Sequence, residues 1–214
     1  MDLIFKGFVS GYISSLICHP LEFLKVNYQV KNKSNIKFSK GIFINPLCYG
    51  LHYSLYYPVY NKINNYFDNS FIAAFLSQNV VNLVLNPLWV IRTQRMTLDK
   101  TYTEILTNTR FGFYRSIIPN TLIGFQTGIS FGIMEYLIKK DYNPIMSSCI
   151  SKILAGVITY PVDTIRTISR VDNTTPIKDI YSSLTFFKMY RGLSFYLIKS
   201  VPSFVIVNYI FNKI

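Results

Sequence analysis

Long apolar runs alternate with short polar joints along the chain. Six mostly apolar segments stand out, at about 3–20, 41–63, 70–90, 116–138, 145–165 and 193–212. Each is near the roughly 17–25 residues that a helix needs to cross a bilayer. None is uniformly apolar: "GFVSGYISSLICHP", "FLSQNVVNLVLNP" and "TLIGFQTGISFGIM" carry Ser, Asn, Gln, Thr and Gly inside the run. In these stretches the interruptions are uncharged, and there is little highly charged outer face. The pattern therefore predicts helices with lipid on one side and water on the other. A soluble bundle of amphipathic core helices is the competing reading. Gly7 and Gly11 sit at helix–helix spacing and suit close contact in a bilayer.

Composition sharpens this. Of 214 residues, 50% are apolar, 16% aromatic and only 15% charged, against about 25% charged in an average soluble protein. The 22 Lys and Arg outweigh 10 Asp and Glu, for a net charge of +12. Such a balance suits nucleic acid, an anionic membrane surface or anionic solutes. Because the cations are spread one or two at a time between apolar runs, no nucleic-acid partner is expected. Cys18, Cys48 and Cys149 are odd in number and lack CxxC spacing, and His19 and His52 are too few for a metal cluster. No disulfide framework, metal site or cofactor is expected. A nucleophile–base–acid set and a Gly-rich phosphate loop are both missing, which argues against an enzyme. Asp2 and Lys6 interrupt the first apolar run, so no removable targeting sequence is expected.

Repetition organises the chain. "HPLEFLKVNYQ" (19–29), "NPLWVIRTQRM" (86–96) and "YPVDTIRTISR" (160–170) each read Pro, one residue, an acid or Trp, two residues, then Lys or Arg. A second feature follows each copy: "FSKGIFINPL" (38–47), "FYRSIIPNTL" (113–122) and "MYRGLSFYLI" (189–198). Two motifs in three copies and one order describe a triplicated helix-pair unit. The repeats fall at about 1–68, 69–142 and 143–214 within one domain, 1–214. Pro20, Pro87 and Pro161 each remove a backbone hydrogen bond and kink the helix, a defect tolerated where neighbours re-satisfy the freed groups.

These signatures resemble the mitochondrial carrier family, whose repeat motif is Pro-x-[Asp/Glu]-x-x-[Lys/Arg], over about residues 3–212. The resemblance implies an all-α membrane protein. Six transmembrane helices would form three pseudo-symmetric pairs around a central cavity, with short matrix helices. It also implies a matrix gate in which each acid pairs with the base of the next repeat: Glu22 with Arg92, and Asp163 with Lys25. Trp89 stands where the other acid should be and leaves Arg166 without its partner. Gln29 matches the family's glutamine brace beneath a salt bridge, whereas Met96 and Arg170 at the equivalent places cannot serve that way. On the cytosolic side the counterparts of the aromatic-acid-x-x-base motif are "YNKIN" (60–64), "MEYLIK" (134–139) and "FNKI" (211–214). Only Glu135 supplies an acid, and Lys139 comes one residue late.

Surface helices have room near "YTEILTNT" and "IKDIYSSL", and barely any in "VKNKSNIKFSK". Lys40–Gly41, Arg115–Ser116 and Arg191–Gly192 offer backbone N–H groups beside a base, which suits lipid phosphate; the resemblance suggests cardiolipin there.

The resemblance further implies solute contacts on the even-numbered helices, seven or eight positions past each basic-Gly motif. Counting gives Cys48 and Tyr49, Ile123 and Gly124, and Lys199 and Ser200. Lys199 stands where the family usually has a cation that meets an anionic group, and an intramembrane Lys is a functional signal in itself. Ile123 and Gly124 resemble the small apolar contact made to an adenine ring. Tyr49, His52, Tyr53 and Tyr56 can stack on a base or donate to phosphate; a lipid-facing tyrosine belt is the other reading. "NPLWVIRTQ" resembles the branch that carries nucleotides and nucleotide-like cofactors. The expectation is a monomer in the lipid bilayer of the mitochondrial inner membrane, exchanging an anionic nucleotide of the ATP/ADP or deoxynucleotide type by alternating access. The alternatives are a carrier of another anionic metabolite or cofactor, a non-transporting scaffold, and a peroxisomal location.

Overall fold

The computed structural model describes residues 2–30, 37–109, 112–172 and 174–213. Most of "VKNKSNIKFSK" and the side chains of "FNKI" lie outside the described residues. The elements are α1 (Asp2–Ile17), α2 (His19–Val30), α3 (Ile44–Phe67), α4 (Ser70–Thr97), α5 (Tyr102–Asn108), α6 (Ile117–Ile138), α7 (Pro144–Val171), α8 (Ile177–Ser183), α9 (Phe186–Met189) and α10 (Leu193–Lys213). Among the described residues there is no strand. The two surface helices, α5 and α8, fall where the sequence left room for them.

Packing closes the long helices into a ring. α1 packs on α3, α3 on α4, α4 on α6, α6 on α7, α7 on α10, and α10 back on α1 and α2. Length and composition let three of them cross a membrane: Ser70–Thr97, Ile117–Ile138 and Pro144–Val171. Helix α1 is apolar but shorter, because the chain breaks at Cys18, next to Pro20, before continuing as α2. Helix α3 has the length, but its Asn, Tyr and His content dilutes the apolar run.

Burial is inverted relative to a soluble bundle. Among the described residues, buried polar and charged ones outnumber buried apolar ones, while Val80, Leu83 and Val84 of α4, Leu122 and Phe125 of α6, and Ile150, Leu154 and Ile158 of α7 are exposed. At spacings of three and four these residues line the outer faces of their helices, the arrangement a lipid solvent favours. The α1–α3 seam is tight because Gly7 and Gly11 lack side chains. A methyl at either position would sit 2.6 Å from the carbonyl oxygen of Tyr53 or Tyr49.

Local chemistry sets the helix ends. Asn69 accepts from Ile72 N–H at 3.0 Å and Asn143 from Ile145 N–H at 2.9 Å, each capping a long helix. Thr101 and Glu104 form a reciprocal capping box on α5. The Thr101 backbone N–H, then its hydroxyl, hold the Glu104 carboxyl below its ordinary range. Gly41 and Gly192 have φ of +82° and +80°, a left-handed turn that favours glycine, ahead of α3 and α10. The third copy, Ser116, has φ −80° and needs no glycine.

Candidate functional site

Helices α2, α4 and α7 touch one another through the parts that carry the three proline motifs. Pro20 lies in the first turn of α2, whereas Pro87 and Pro161 sit inside continuous helices. On α2, Glu22, Lys25 and Gln29 are spaced three and four apart and all are buried. Glu22 pairs with Arg92 through Oε1 and accepts from Lys199 Nζ at 2.7 Å through Oε2. Lys199 also donates to Tyr49 OH at 3.0 Å. Asp163 accepts from Lys25 Nζ at 2.6 Å and from Gln29 Nε2 at 3.1 Å. Both expected acid–base pairs are thus in contact, and Gln29 lies under the Lys25–Asp163 pair. Desolvating each carboxylate is offset by more than one charge-assisted bond.

The third seam differs from expectation: Arg166 has partners. It pairs with Asp163 on its own helix and donates to Asn120 Oδ1 at 3.4 Å. Arg170 donates to the same oxygen at 3.1 Å. The physical reason is reach, since a guanidinium fork three residues beyond a carboxylate can bend back to it. The Trp89 ring lies under both Arg92, at 5.1 Å, and Arg170, at 5.8 Å, as a cation–π partner in place of an acid.

One geometry recurs three times. The residue just before each proline meets a side chain four past the basic-Gly or basic-Ser turn, which in turn holds the base of another helix. Asn45 Nδ2 lies 3.2 Å from His19 Nδ1, and Asn45 Oδ1 accepts from Arg92 Nε at 2.5 Å. Asn120 Nδ2 donates to Asn86 Oδ1 at 2.9 Å while its own oxygen takes Arg166. Tyr196 packs edge-on against Tyr160, and Lys25 Nζ lies 5.3 Å from its ring centre.

Against this network lies a cavity of about 190 Å³. Tyr49, His52 and Tyr53 of α3, Ile123, Gln126, Thr127 and Ser130 of α6, and Tyr196, Lys199, Ser200 and Ser203 of α10 face it. These positions repeat at three and four, the inner stripe of each helix. Gln78, Asn82, Trp89 and Arg92 of α4 and Lys152, Asp163, Arg166 and Arg170 of α7 complete the wall with Glu22 and Lys25. The wall carries six cations (Lys25, Arg92, Lys152, Arg166, Arg170, Lys199) against two carboxylates (Glu22, Asp163). Such a surplus favours an anionic occupant.

The expected contact residues divide. Tyr49, His52, Ile123, Lys199 and Ser200 line the cavity; Cys48 and Gly124 do not. Adjacent helix residues point about 100° apart, and Cys48 and Gly124 fall on the side of Tyr49 and Ile123 that lies off the inner stripe, whereas Lys199 and Ser200 straddle it and both reach the cavity. Cys48 packs among Tyr56, Val81, Leu85 and Trp89, and Gly124 lets Asn79 approach. Tyr56 also belongs to that core, stacked on His52 and Tyr60.

At the turns, Lys40 pairs with Asp99, Arg115 donates to the Thr175 carbonyl, and the Arg191 carbonyl accepts from Tyr160 OH at 2.8 Å. At the far end of α6, Lys139 reaches Glu135 at 2.7 Å within one helix.

Counting along the even helices missed Lys152, Gln126 and Asn120. Lys152 had a signal, a lone base inside the 145–165 run; Asn120 had none until its helix was docked.

Comparison with known proteins finds a family likeness over part of the chain. Residues 139–214 match the model described as mitochondrial carrier protein. An uncharacterized mitochondrial carrier of Schizosaccharomyces pombe is 28% identical over 107 residues, covering 42% of this chain and 29% of that protein. The chain therefore spans under a third of the length of that relative. Together the family match and the yeast relative support membership of this chain in the mitochondrial carrier family.

Proposed function

We propose that the chain is a solute carrier of a mitochondrial membrane rather than an enzyme, and that it takes an anionic solute into the cavity between its helices. The observation that carries this reading is the charge of the wall, six cations to two carboxylates, inside a ring with apolar outer faces. The likeness to mitochondrial carriers supports a small solute and a membrane setting. Three helix-pair repeats, at about 1–68, 69–142 and 143–214, would cross the inner membrane six times and hinge about the cavity.

In this reading Glu22–Arg92 and Lys25–Asp163 are the matrix gate, closed in the present arrangement, with Gln29 as its brace. Such pairs gain little net energy once desolvation is counted, which lets them break in a working cycle. Lys199 has a double role. It belongs to the gate through Glu22 and faces the cavity, where an anion would compete for it.

The solute is a nucleotide. Phosphates would meet Lys199, while Tyr49, His52, Trp89 and Ile123 offer flat and apolar surface to a base. Exchange is the mode, and Gly41, Ser116 and Gly192 turn the chain where cardiolipin headgroups would sit. A second reading, a carrier-like scaffold, draws on the end bearing Glu135. Among the described residues that end has one ion pair, and it stays within α6.

Thermal unfolding of the purified protein against nucleotides, carboxylates and amino acids tests the proposal. A ligand at a hundred times its dissociation constant adds about 2.7 kcal/mol to the folded state. A midpoint rise with ATP or dATP that Lys199→Gln abolishes is the expected result. A rise with carboxylates alone moves the solute class, and none with any anion favours the scaffold.

A further inference from the structure

Trp89, Asn120, Arg166 and Arg170 meet where the triplicated motif lacks its acid. Acceptors are short there. One amide oxygen, Asn120 Oδ1, serves both guanidiniums. Asp163, the nearest carboxylate, is shared by Arg166 with Lys25 and Gln29. Meanwhile Trp89 Nε1, Arg166 Nε and Arg170 Nε are buried with no hydrogen-bond acceptor. Trp89 and Arg170 are only 6% and 4% exposed, yet both line the cavity, as does Arg166. Buried donors normally find partners, and a buried guanidinium without a full counter-charge is costly. A cluster that is short of acceptors and long in positive charge, on the wall of a cavity, is built for an oxyanion.

We infer that this cluster is a subsite for a carboxylate or phosphate group of the solute, which supplies there the acceptor that the chain itself lacks. The inference rests on the anion-carrier reading and deepens it, by giving the solute an anionic contact on α4 and α7 beside the one at Lys199 on α10. The chemistry fits. Two or three oxygens on one centre accept from two planar forks and an indole N–H together, which a single amide oxygen cannot do. With the group bound, all three seams of the proline-bearing helices hold a base against an anion, the third anion being the solute's own. A neutral or cationic solute leaves the third seam as it stands. Arg170 is then a solute-binding residue, and Asn120 is a positioning residue that aims both guanidiniums.

Thermal unfolding with ATP, inorganic phosphate and succinate, on wild type and three variants, tests this. The wild-type midpoint rises with an anion; phosphate without succinate marks a phosphoryl group, and succinate without phosphate marks a carboxylate. Trp89→Glu and Asn120→Asp each place a carboxylate of the chain in the subsite. Both raise the ligand-free midpoint and weaken the anion's half-saturation by about tenfold, the loss of roughly one charge-assisted contact. Arg170→Gln weakens it similarly without raising the ligand-free midpoint. Should Trp89→Glu not fold, the isosteric Asn120→Asp decides. A wild-type rise whose half-saturation stays unchanged in Asn120→Asp and Arg170→Gln overturns the subsite and leaves the carrier reading intact. No rise with any of the three anions contradicts both.

Discussion

At two seams between the proline-bearing helices a carboxylate meets a base from another helix; at the third, an indole and an amide take its place. Glu22 and Asp163 each pair with two cations and tie α2 to α4, α7 and α10. Asn120 ties α6 to α7 through the same kind of fork but adds no charge. The difference teaches that contact among these three helices does not require three ion pairs. It requires that each base find an oxygen, and in the proposed reading the charge at the third seam is what an anionic solute would meet.

Breaking the charged seams should cost most. Glu22→Gln leaves Arg92 and Lys199 facing each other without their shared carboxylate; removing one partner of a buried pair costs about 3–5 kcal/mol. The unfolding midpoint should fall on the order of 10 °C, at roughly 2–4 °C per kcal/mol for a chain of this size. A fall below the fall of Asn120→Leu would reverse the ranking of the seams. Asn120→Leu comes second, at about 1–3 kcal/mol, because it strips an acceptor from two buried guanidiniums but no charge. In a double-mutant cycle Trp89→Glu should recover much of that loss, and strict additivity would separate the two residues.

Third is Gln29→Leu. Its amide donates to Asp163, Tyr160 and Thr164, yet Lys25 and Arg166 remain on the carboxylate. The expected loss is about 1 kcal/mol, read as a small midpoint shift with unaltered anion binding. Smallest is an effect outside the seams. Glu104 has its carboxyl held low, so its support of α5 is present above the unfolded value of about 4.3 and fades as pH falls through the lower folded value. Amide exchange over Tyr102–Asn108 should accelerate in that acid window and not near neutrality. Glu104→Gln should remove the dependence.

Much of this was legible in the chain. The three proline motifs named Glu22, Lys25, Arg92, Asp163 and Arg166, and the resemblance to the carrier family, not spacing, implied that the first four form two pairs. What stayed hidden depends on docking rather than on local pattern. Cys48 and Tyr49 are neighbours in sequence, but which one faces inward is fixed by how α3 rotates against α1, and Gly7 and Gly11 set that contact. Lys199 reads as a solute cation, and its reach to Glu22 becomes visible only when α10 lies beside α2. Asn120 looks like an ordinary residue at a helix start until Asn86 and two arginines close on it. Six crossings were expected, and three helices meet the length and composition for one. The polar residues that face the cavity lower the apolar content that a crossing would otherwise display.

The central claim is that the charged cavity carries an anion, and counter-exchange in proteoliposomes tests it most directly. Vesicles loaded with unlabelled ATP should take up labelled ATP saturably, lose that uptake when the interior is empty, and lose it again with Lys199→Gln. Uptake no faster than in protein-free vesicles, for nucleotides, phosphate and dicarboxylates alike and from protein shown to be folded, would contradict the account.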